Sequence, residues 1–413
     1  MGIKGPLDGV RIIDLTIFWS GPYATSLLGA MGAQVIKVES VQHPDGARHT
    51  MIMPQNKGYE MAPLWNAANL NKLGITLNLM DPKGVELFKR LVALGDVVIE
   101  NFSPRVMENF GLGYEELRKV NEQIVVVRMP SFGTTGPWRD YVGYALTFDQ
   151  VGGLAYLNGY YGSEPRDATG VADPMAGLYG ALAVVTALEH QRKTGRGQLI
   201  DMSQCEAMAT MAGEAVLDFS INGRTQSRLG NRGKSLAPSG CYRCAGDDSW
   251  VAISVTNEKE WRSFCYALGS PSWSERPEFS TALGRWKNHD ALDLLIEEWT
   301  RERDKHRVMQ LLQSAGVPAG IVADRADLRN DPQLKERRFF APIAREVVGK
   351  REYAGWSLGL SETPVTQRSG GPLLGEHNGY ILCELLGLRA NDIQRLEDEK
   401  VIGHLPLNLQ EGG

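Results

Sequence analysis

A chain of 413 residues, 43% hydrophobic and 23% charged, has the length of two domains or of one domain with an inserted lobe. Its composition is that of an ordinary soluble globular enzyme, which excludes a disordered chain or one small module. The net charge of −5 excludes a nucleic-acid partner, because phosphate binding draws on clustered Lys and Arg. The start MGIKGPLDGVRIIDL carries no long apolar leader core, and the apolar run GALAVVTAL stops at Glu189, too short to span a bilayer; no membrane partner and a cytoplasmic location are expected. Five cysteines, irregularly spaced, suit a reducing compartment rather than a disulfide scaffold.

From the N-terminus, GVRIIDL reads as a β-branched strand, GPYATSLLGAMGA as a small-residue helix and QVIKVES as a second strand, the βαβ rhythm of a parallel sheet. The rhythm repeats. GITLNL precedes DPKGVELFKRLVALG, where Asp81 caps, Pro82 takes the first helical position and Val85, Leu87, Phe88, Leu91 and Val92 recur at helical spacing. DVVIENF, the helix SPRVMENFG, the segment GYEELRKVN and the strand IVVVRMPSFG follow. The alternation predicts a doubly wound, Rossmann-like sheet, although no GxGxxG joins the first strand and helix.

A long apolar helix is predicted over 168–189, then the turn KTGRGQ, the strand LIDMS and a helix over 204–219. Between 220 and 240 the composition turns to Gly, Ser, Arg and Asn, which reads as a linker. Beyond it lies an α+β lobe: a hairpin in GCYRCAGDDSWVAISV and amphipathic helices in EKEWRSFCYALG, NHDALDLLIEEWTRER and DKHRVMQLLQSAG. Strand-like pieces and a helix in NGYILCELLGL close the chain. The expected division is 1–222 as the first part of a large Rossmann-like domain, 223–330 as a small α+β domain, and 331–413 as a return segment completing the large one.

Among candidate chemical groups, Cys241 and Cys244 form a lone CxxC with no second ligand pair nearby, so they read as two ordinary cysteines and no metal site is expected. The histidines form neither HExxH nor a partner to GxSxG, against a metalloprotease or a serine hydrolase. Lys72, Lys83, Arg105 and Arg139 read chiefly as solvated surface. Asp173, in GVADPMAGLYGAL, has two readings. An Asp before Pro and an apolar helix is a good N-cap. A carboxylate at a helix N-terminus is also held as an anion beside free N–H groups that receive developing negative charge.

Taken together, the segments LDGVRIIDLTIFWSGPYATSLLGAMGAQVIKVE, NLNKLGITLNL, DVVIENFSP, GVADPMAGLYGALAVVTALEHQRKTGRGQLIDMS, AGVPAGIV, NDPQLKERRFF and PLLGEHN resemble the family III CoA-transferases nearly end to end. The Asp173 segment and its KTGRGQ turn are the most specific match. The resemblance implies two subunits threaded as an interlocked homodimer. It also implies a reaction in which Asp173 attacks an acyl-CoA thioester, forms a mixed anhydride and then an aspartyl-CoA thioester, and passes CoA to an acceptor acid. Coenzyme A thioesters are then substrates, with no permanently bound cofactor, and succinyl-CoA is a donor by analogy.

The same resemblance places Phe18, Trp19 and Ser20, with Tyr144, at the acyl group. It places Leu77, Asn78, Leu79, Met80, Asn101, Phe102, Ser103, Arg105 and Asn109 along CoA. Departures are specific. Formyl-CoA transferase has glutamine where this chain has Trp19, and an indole is no hydrogen-bond acceptor; that argues against formate or oxalate. Its glutamate beside the tyrosine is Ala145 here, an arginine common in the family is Asn109, and its mobile glycine loop is GKSLAPSG, with only Gly233 and Gly240 left, which implies a stiffer lid. Trp19, Trp65, Tyr59, Tyr156, Tyr160 and Tyr161 either face a bulkier acyl group or serve core and interface. An acyl-CoA racemase of the same superfamily is an alternative, but Tyr144 stands where that chemistry uses histidine, and a phenol, titrating near ~10, is a poor base at neutral pH. A subunit of a heteromeric transferase, paired with a homologous subunit, is the other.

Overall fold

The strands RIID, VVIE and VVVR are apolar along most of their length and buried on both faces, the pattern of a parallel sheet covered by helices on each side. The computed structural model describes residues 5–50, 58–167 and 170–407. β1 (Arg11–Asp14), α1 (Ser20–Ala30), β2 (Gln34–Glu39), β3 (Lys72–Thr76), α2 (Pro82–Ala93), β4 (Val97–Glu100) and β5 (Val125–Arg128) alternate in the first third. α3 (Ala145–Val151), α4 (Ala172–Thr194), β6 (Leu199–Asp201) and α5 (Gln204–Ala209) follow. The six strands lie in the order β3-β2-β1-β4-β5-β6, all parallel, with Ile12 opposite Val35 on one side and Val97 on the other.

One face of the sheet packs on α2, whose Leu87, Phe88, Leu91 and Val92 are buried while Asp81 accepts the Lys83 N–H at 2.8 Å as its cap. The other packs on α1 and α4. Both helices are rich in Gly and Ala, so their backbones approach closely: a Cβ on Gly177 would lie 2.6 Å from the Ser20 carbonyl oxygen and 3.0 Å from the Tyr23 ring. Gly177→Ala is therefore expected to force α1 from α4, lowering stability by about 1–3 kcal/mol and reducing turnover because Ser20 moves with it. Thermal unfolding and steady-state kinetics on the same sample measure both effects.

α4 starts at Ala172, not at 168, and runs on to Thr194. Gly170 sits at φ +82°, a left-handed conformation that no α-helix contains, so the helix forms only after it; Ala168 and Thr169 lie outside the described residues. At the far end Gln191, Arg192 and Lys193 are good helix formers and prolong the helix.

The described residues of 1–154, 167–217 and 336–413 form one compact unit, and those of 155–166 and 218–335 a second. The smaller unit takes in a piece, Ala155–Arg166, from well before the compositional linker. In it β7 (Ser239–Arg243) and β8 (Trp250–Ser254) make an antiparallel hairpin, β9 (Ala319–Ile321) joins β8, and α6 (Glu258–Ala267), α7 (His289–Thr300) and α8 (Lys305–Ser314) supply Trp261, Phe264, Leu292, Ile296, Val308 and Leu312 to its core. Cys241 and Cys244 are free thiols on and beside β7. Among the described residues no cluster of His, Cys, Asp or Glu is placed to hold a metal, and no helix is long and apolar enough to cross a membrane.

The return segment locks onto the sheet edge at β3: the Gly74 carbonyl accepts the His377 N–H at 2.9 Å, and Asn378 Oδ1 accepts the Thr76 N–H at 2.9 Å. The closing helix predicted there is a π-helix over Tyr380–Leu385, whose wider turn lets the adjacent Ile381 and Leu382 both enter the core.

Candidate active site

Strand order reverses between β1 and β4, so the chains leaving their carboxyl ends diverge and open a crevice there. The crevice is a cavity of about 350 Å³, within the range of small-molecule sites. The loop after β1 and the first residue of α1 contribute Ile17 to Ser20, the loop after β4 contributes Asn101, Phe102 and Ser103, and α3 with its N-cap residue contributes Tyr144, Ala145 and Phe148; Ser131, Asp173 and Gln204 complete the polar lining.

The loop after β1 bends at Phe18, whose φ is +62°; a non-glycine residue there costs about 1–2 kcal/mol. Hydrogen bonds hold the bend. The Phe18 N–H donates to Asp45 Oδ1 at 2.9 Å, the Ile17 N–H donates to Asn101 Oδ1 at 2.7 Å, and Asn101 Nδ2 donates back to the Ile17 carbonyl at 2.9 Å. The amide of Asn101 is thus spent on the loop, and its nitrogen also lies 3.4 Å from Ser20 Oγ.

Asp173 is the second residue of α4, and Val171 occupies the N-cap position with no side-chain cap bond. The capping reading is corrected: a cap needs extended backbone before the helix, and Asp173 is already inside the first turn. Its carboxylate turns across to α1 and accepts both the backbone N–H and the hydroxyl of Ser20. Burial pushes its pKa up to about 6, the two Ser20 donors pull the other way, and the buried Asp149 carboxylate on α3 adds to the rise. Ser20→Ala removes one donor and is expected to lower kcat about 10-fold, less than the roughly 100- to 1000-fold of an oxyanion-hole donor, because Ser20 orients the resting carboxylate. It should also move the acidic limb of the pH–rate profile upward; an unmoved limb would show that Ser20 does not hold the carboxylate.

Phe18, Trp19, Ser20, Asn101, Phe102, Ser103, Tyr144 and Asp173 thus share one cavity. Tyr144 is largely exposed and meets the Phe18 ring edge-on at 5.9 Å. The Trp19 indole lies over Gly170, close enough that a Cβ there would be 3.1 Å from the ring. Other expected positions fall outside this lining. Leu77 to Met80 follow β3, with Leu77 in the core and Met80 exposed. Arg105 pairs with Asp140 at 2.8 Å beside a second cavity that also gathers Arg128 and Arg139, and Asn109 is an exposed residue of a short helix. Trp65 and Tyr59 are buried; Trp65 stacks 3.5 Å from the Arg48 guanidinium. Tyr156, Tyr160 and Tyr161 belong to the smaller unit. Sequence reasoning missed Asp45, Asp149, Ser131 and Gln204. For Asp45 the one local signal was a turn cap, in PDGARH, which says nothing of a partner 27 residues away.

A doubly wound domain whose switch-point cavity offers a half-buried carboxylate, with no GxGxxG turn after β1, has the form of a small-molecule α/β enzyme rather than a dinucleotide reductase. The chain belongs to CoA-transferase family III, whose model matches residues 7–378, and is an enzyme of that family. It is 34% identical to the succinyl-CoA–L-malate CoA-transferase beta subunit of Chloroflexus aurantiacus over 96% of this chain and 98% of that one. It is 32% identical, over the same shares of each, to the succinyl-CoA–D-citramalate CoA-transferase of that organism. A solved CAIB/BAIF family protein from Brucella suis superposes with a TM-score of 0.84 at 31% identity, covering 92% of this chain and all of the other.

Proposed function

We propose that this enzyme moves CoA from succinyl-CoA to a carboxylic acid larger than formate, with Asp173 as the nucleophile. The single observation that carries the reading is the Asp173 carboxylate, aimed into the switch-point cavity and hydrogen-bonded by Ser20. A carboxylate oxygen attacks the thioester carbonyl, the C–S bond breaks, and a mixed anhydride and CoA thiolate result. The thiolate attacks the Asp173 carbonyl carbon, releases succinate and leaves an aspartyl-CoA thioester. The acceptor carboxylate attacks that thioester, and the thiolate then takes the acceptor's acyl carbon and frees Asp173. No proton is gained or lost, and splitting the exchange into covalent steps conserves the thioester energy. In this reading CoA is substrate, not resident cofactor, and runs from the cavity toward Leu77 to Met80 and Arg105. The succinyl donor is supported by the names of the relatives, and the larger acceptor by Trp19 in the lining.

Exposed Leu178, Leu182 and Val185 form an apolar stripe on α4, a surface suited to cover by a second chain. We take this as the face of an interlocked homodimer. The relatives named as alpha and beta subunits favour a second reading, a heteromer with a homologous subunit, which native mass spectrometry of the purified chain decides. The reaction itself is tested by intact-protein mass spectrometry after incubation with an acyl-CoA panel and hydroxylamine or borohydride trapping. An adduct on Asp173, absent from Asp173→Asn, is expected. No adduct with any donor, together with deuterium exchange α to a thioester, would sink the transferase reading in favour of the racemase. Strong preference for formate or oxalate would defeat the acceptor assignment.

A further inference from the structure

The bend at Phe18 is fixed by a charge buried beneath it. Asp45 Oδ1 takes the Phe18 N–H at 2.9 Å and the Ala47 N–H at the same distance, while the Asp45 N–H donates to Glu39 Oε1 at 3.1 Å. Its other oxygen stands 3.0 Å from the Lys37 ammonium, and both side chains are wholly buried. Lys37 also donates to the Thr16 carbonyl of the same loop. The Phe18 ring rests on Gly46, where a Cβ would come within 2.3 Å of it. The backbone of this loop is thus held from below at Thr16 and Phe18, two residues before Ser20.

We propose that Asp45 is a positioning residue for the transfer: by capturing the Phe18 N–H it fixes the left-handed bend that aims the Ser20 N–H and O–H at the Asp173 carboxylate. Lys37, 3.0 Å from the other oxygen, fixes the orientation of the Asp45 carboxylate and so leaves Oδ1 facing the Phe18 N–H. The inference rests on Asp173 as nucleophile. The plainer role is the cap of the 3₁₀ turn at Gly46–His49, which Asp45 also fills; a cap acts on folding, whereas a positioning residue acts on the rate of the covalent step.

The experiment measures the single-turnover rate of adduct formation at Asp173 from succinyl-CoA, by rapid quench and intact mass, alongside the affinity for free CoA. Asp45→Ala is expected to slow adduct formation about 10- to 100-fold, the scale of a misaimed catalytic group, with CoA affinity changed less than about threefold. Asp45→Asn, which keeps an acceptor oxygen for Phe18, should recover most of the rate. In a Ser20→Ala background the penalty of Asp45→Ala should shrink, because both changes remove parts of one contact chain. Should Asp45→Ala fold poorly, Gly46→Ala, which leaves Asp45 in place and displaces the Phe18 ring, is expected to slow the same step. Folded variants that keep the wild-type adduct rate, or a penalty undiminished by Ser20→Ala, would overturn the proposal. An adduct that forms equally well in Asp173→Asn would instead overturn the reading beneath it, so the two failures are distinct.

Discussion

Asp173→Asn will leave the fold in place and remove CoA transfer by a factor on the order of 10⁴ or more, the loss typical of deleting a covalent nucleophile. Asn is nearly isosteric and still accepts a hydrogen bond from Ser20, so the packing of α1 on α4 survives. What it lacks is the anionic oxygen that forms the anhydride. Wild-type activity should carry the same signature. The nucleophile is the ionised form, and burial sets its pKa at about 6, so kcat/KM for the donor should fall about tenfold per unit as the pH drops below that value. A profile flat from pH 7 down to 5 would contradict Asp173 as the attacking group.

The same substitution should raise stability at neutral pH. The folded-state pKa of Asp173 lies above its unfolded value, so the site favours the neutral acid. That preference is fully present below about pH 4 and is lost as the pH rises through about 6. At pH 7 the wild type therefore holds a carboxylate where the fold prefers a neutral group, a penalty of at most about 3 kcal/mol for a shift of this size. The Tm advantage of Asp173→Asn should be smallest near pH 4 and grow toward pH 7. A gap independent of pH would show that the carboxylate is not disfavoured by its surroundings. Activity bought with local instability is common where a buried group must be charged to react.

The sheet was legible because its strands are continuous β-branched runs and its helices carry caps and apolar stripes: Asp81, Pro82 and the Leu87–Val92 face were read and found where expected. The candidate site was legible through the family resemblance, which named Asp173 and the residues that follow β1 and β4; the fold gathers them at the carboxyl ends of those strands. Three features were not. The capping role assigned to Asp173 failed because Gly170 delays the helix and Ser20, far away in sequence, supplies the bonding partner. For Tyr59 and Trp65 the choice between acyl site and core stayed open, since an aromatic ring suits both; both are buried, and Arg48 stacks on Trp65. The charges beneath the site were hidden altogether, since Asp14, Lys37, Asp45 and Lys72 look like surface residues until the sheet brings them together.

That buried set sustains the largest stability effect. Asp14 ends β1 with no exposed surface, and its carboxylate receives the Thr16 N–H at 2.9 Å, the Thr16 hydroxyl at 2.5 Å, the Thr25 hydroxyl at 2.7 Å and the Lys72 ammonium at 2.9 Å. Asp14→Ala strands a buried ammonium, and breaking a buried pair on one side costs about 3–5 kcal/mol. Lys72→Met is the milder change. It leaves Asp14 with three hydroxyl and amide donors and the nearby Lys37 charge, and it removes a group that burial already holds down at about 8. Hydrogen exchange of the β1 and β3 amides reads the difference where it arises: strong loss of protection in Asp14→Ala, modest loss in Lys72→Met. The double variant should be no worse than Asp14→Ala alone, because the stranded cation has gone. Equal losses in the two single variants would mean that the pair, rather than the unpaired ammonium, sets the cost. Because Asp14 also anchors Thr16, whose carbonyl takes the Lys37 bond below the Phe18 bend, folded Asp14→Ala molecules should in addition form the Asp173 adduct slowly.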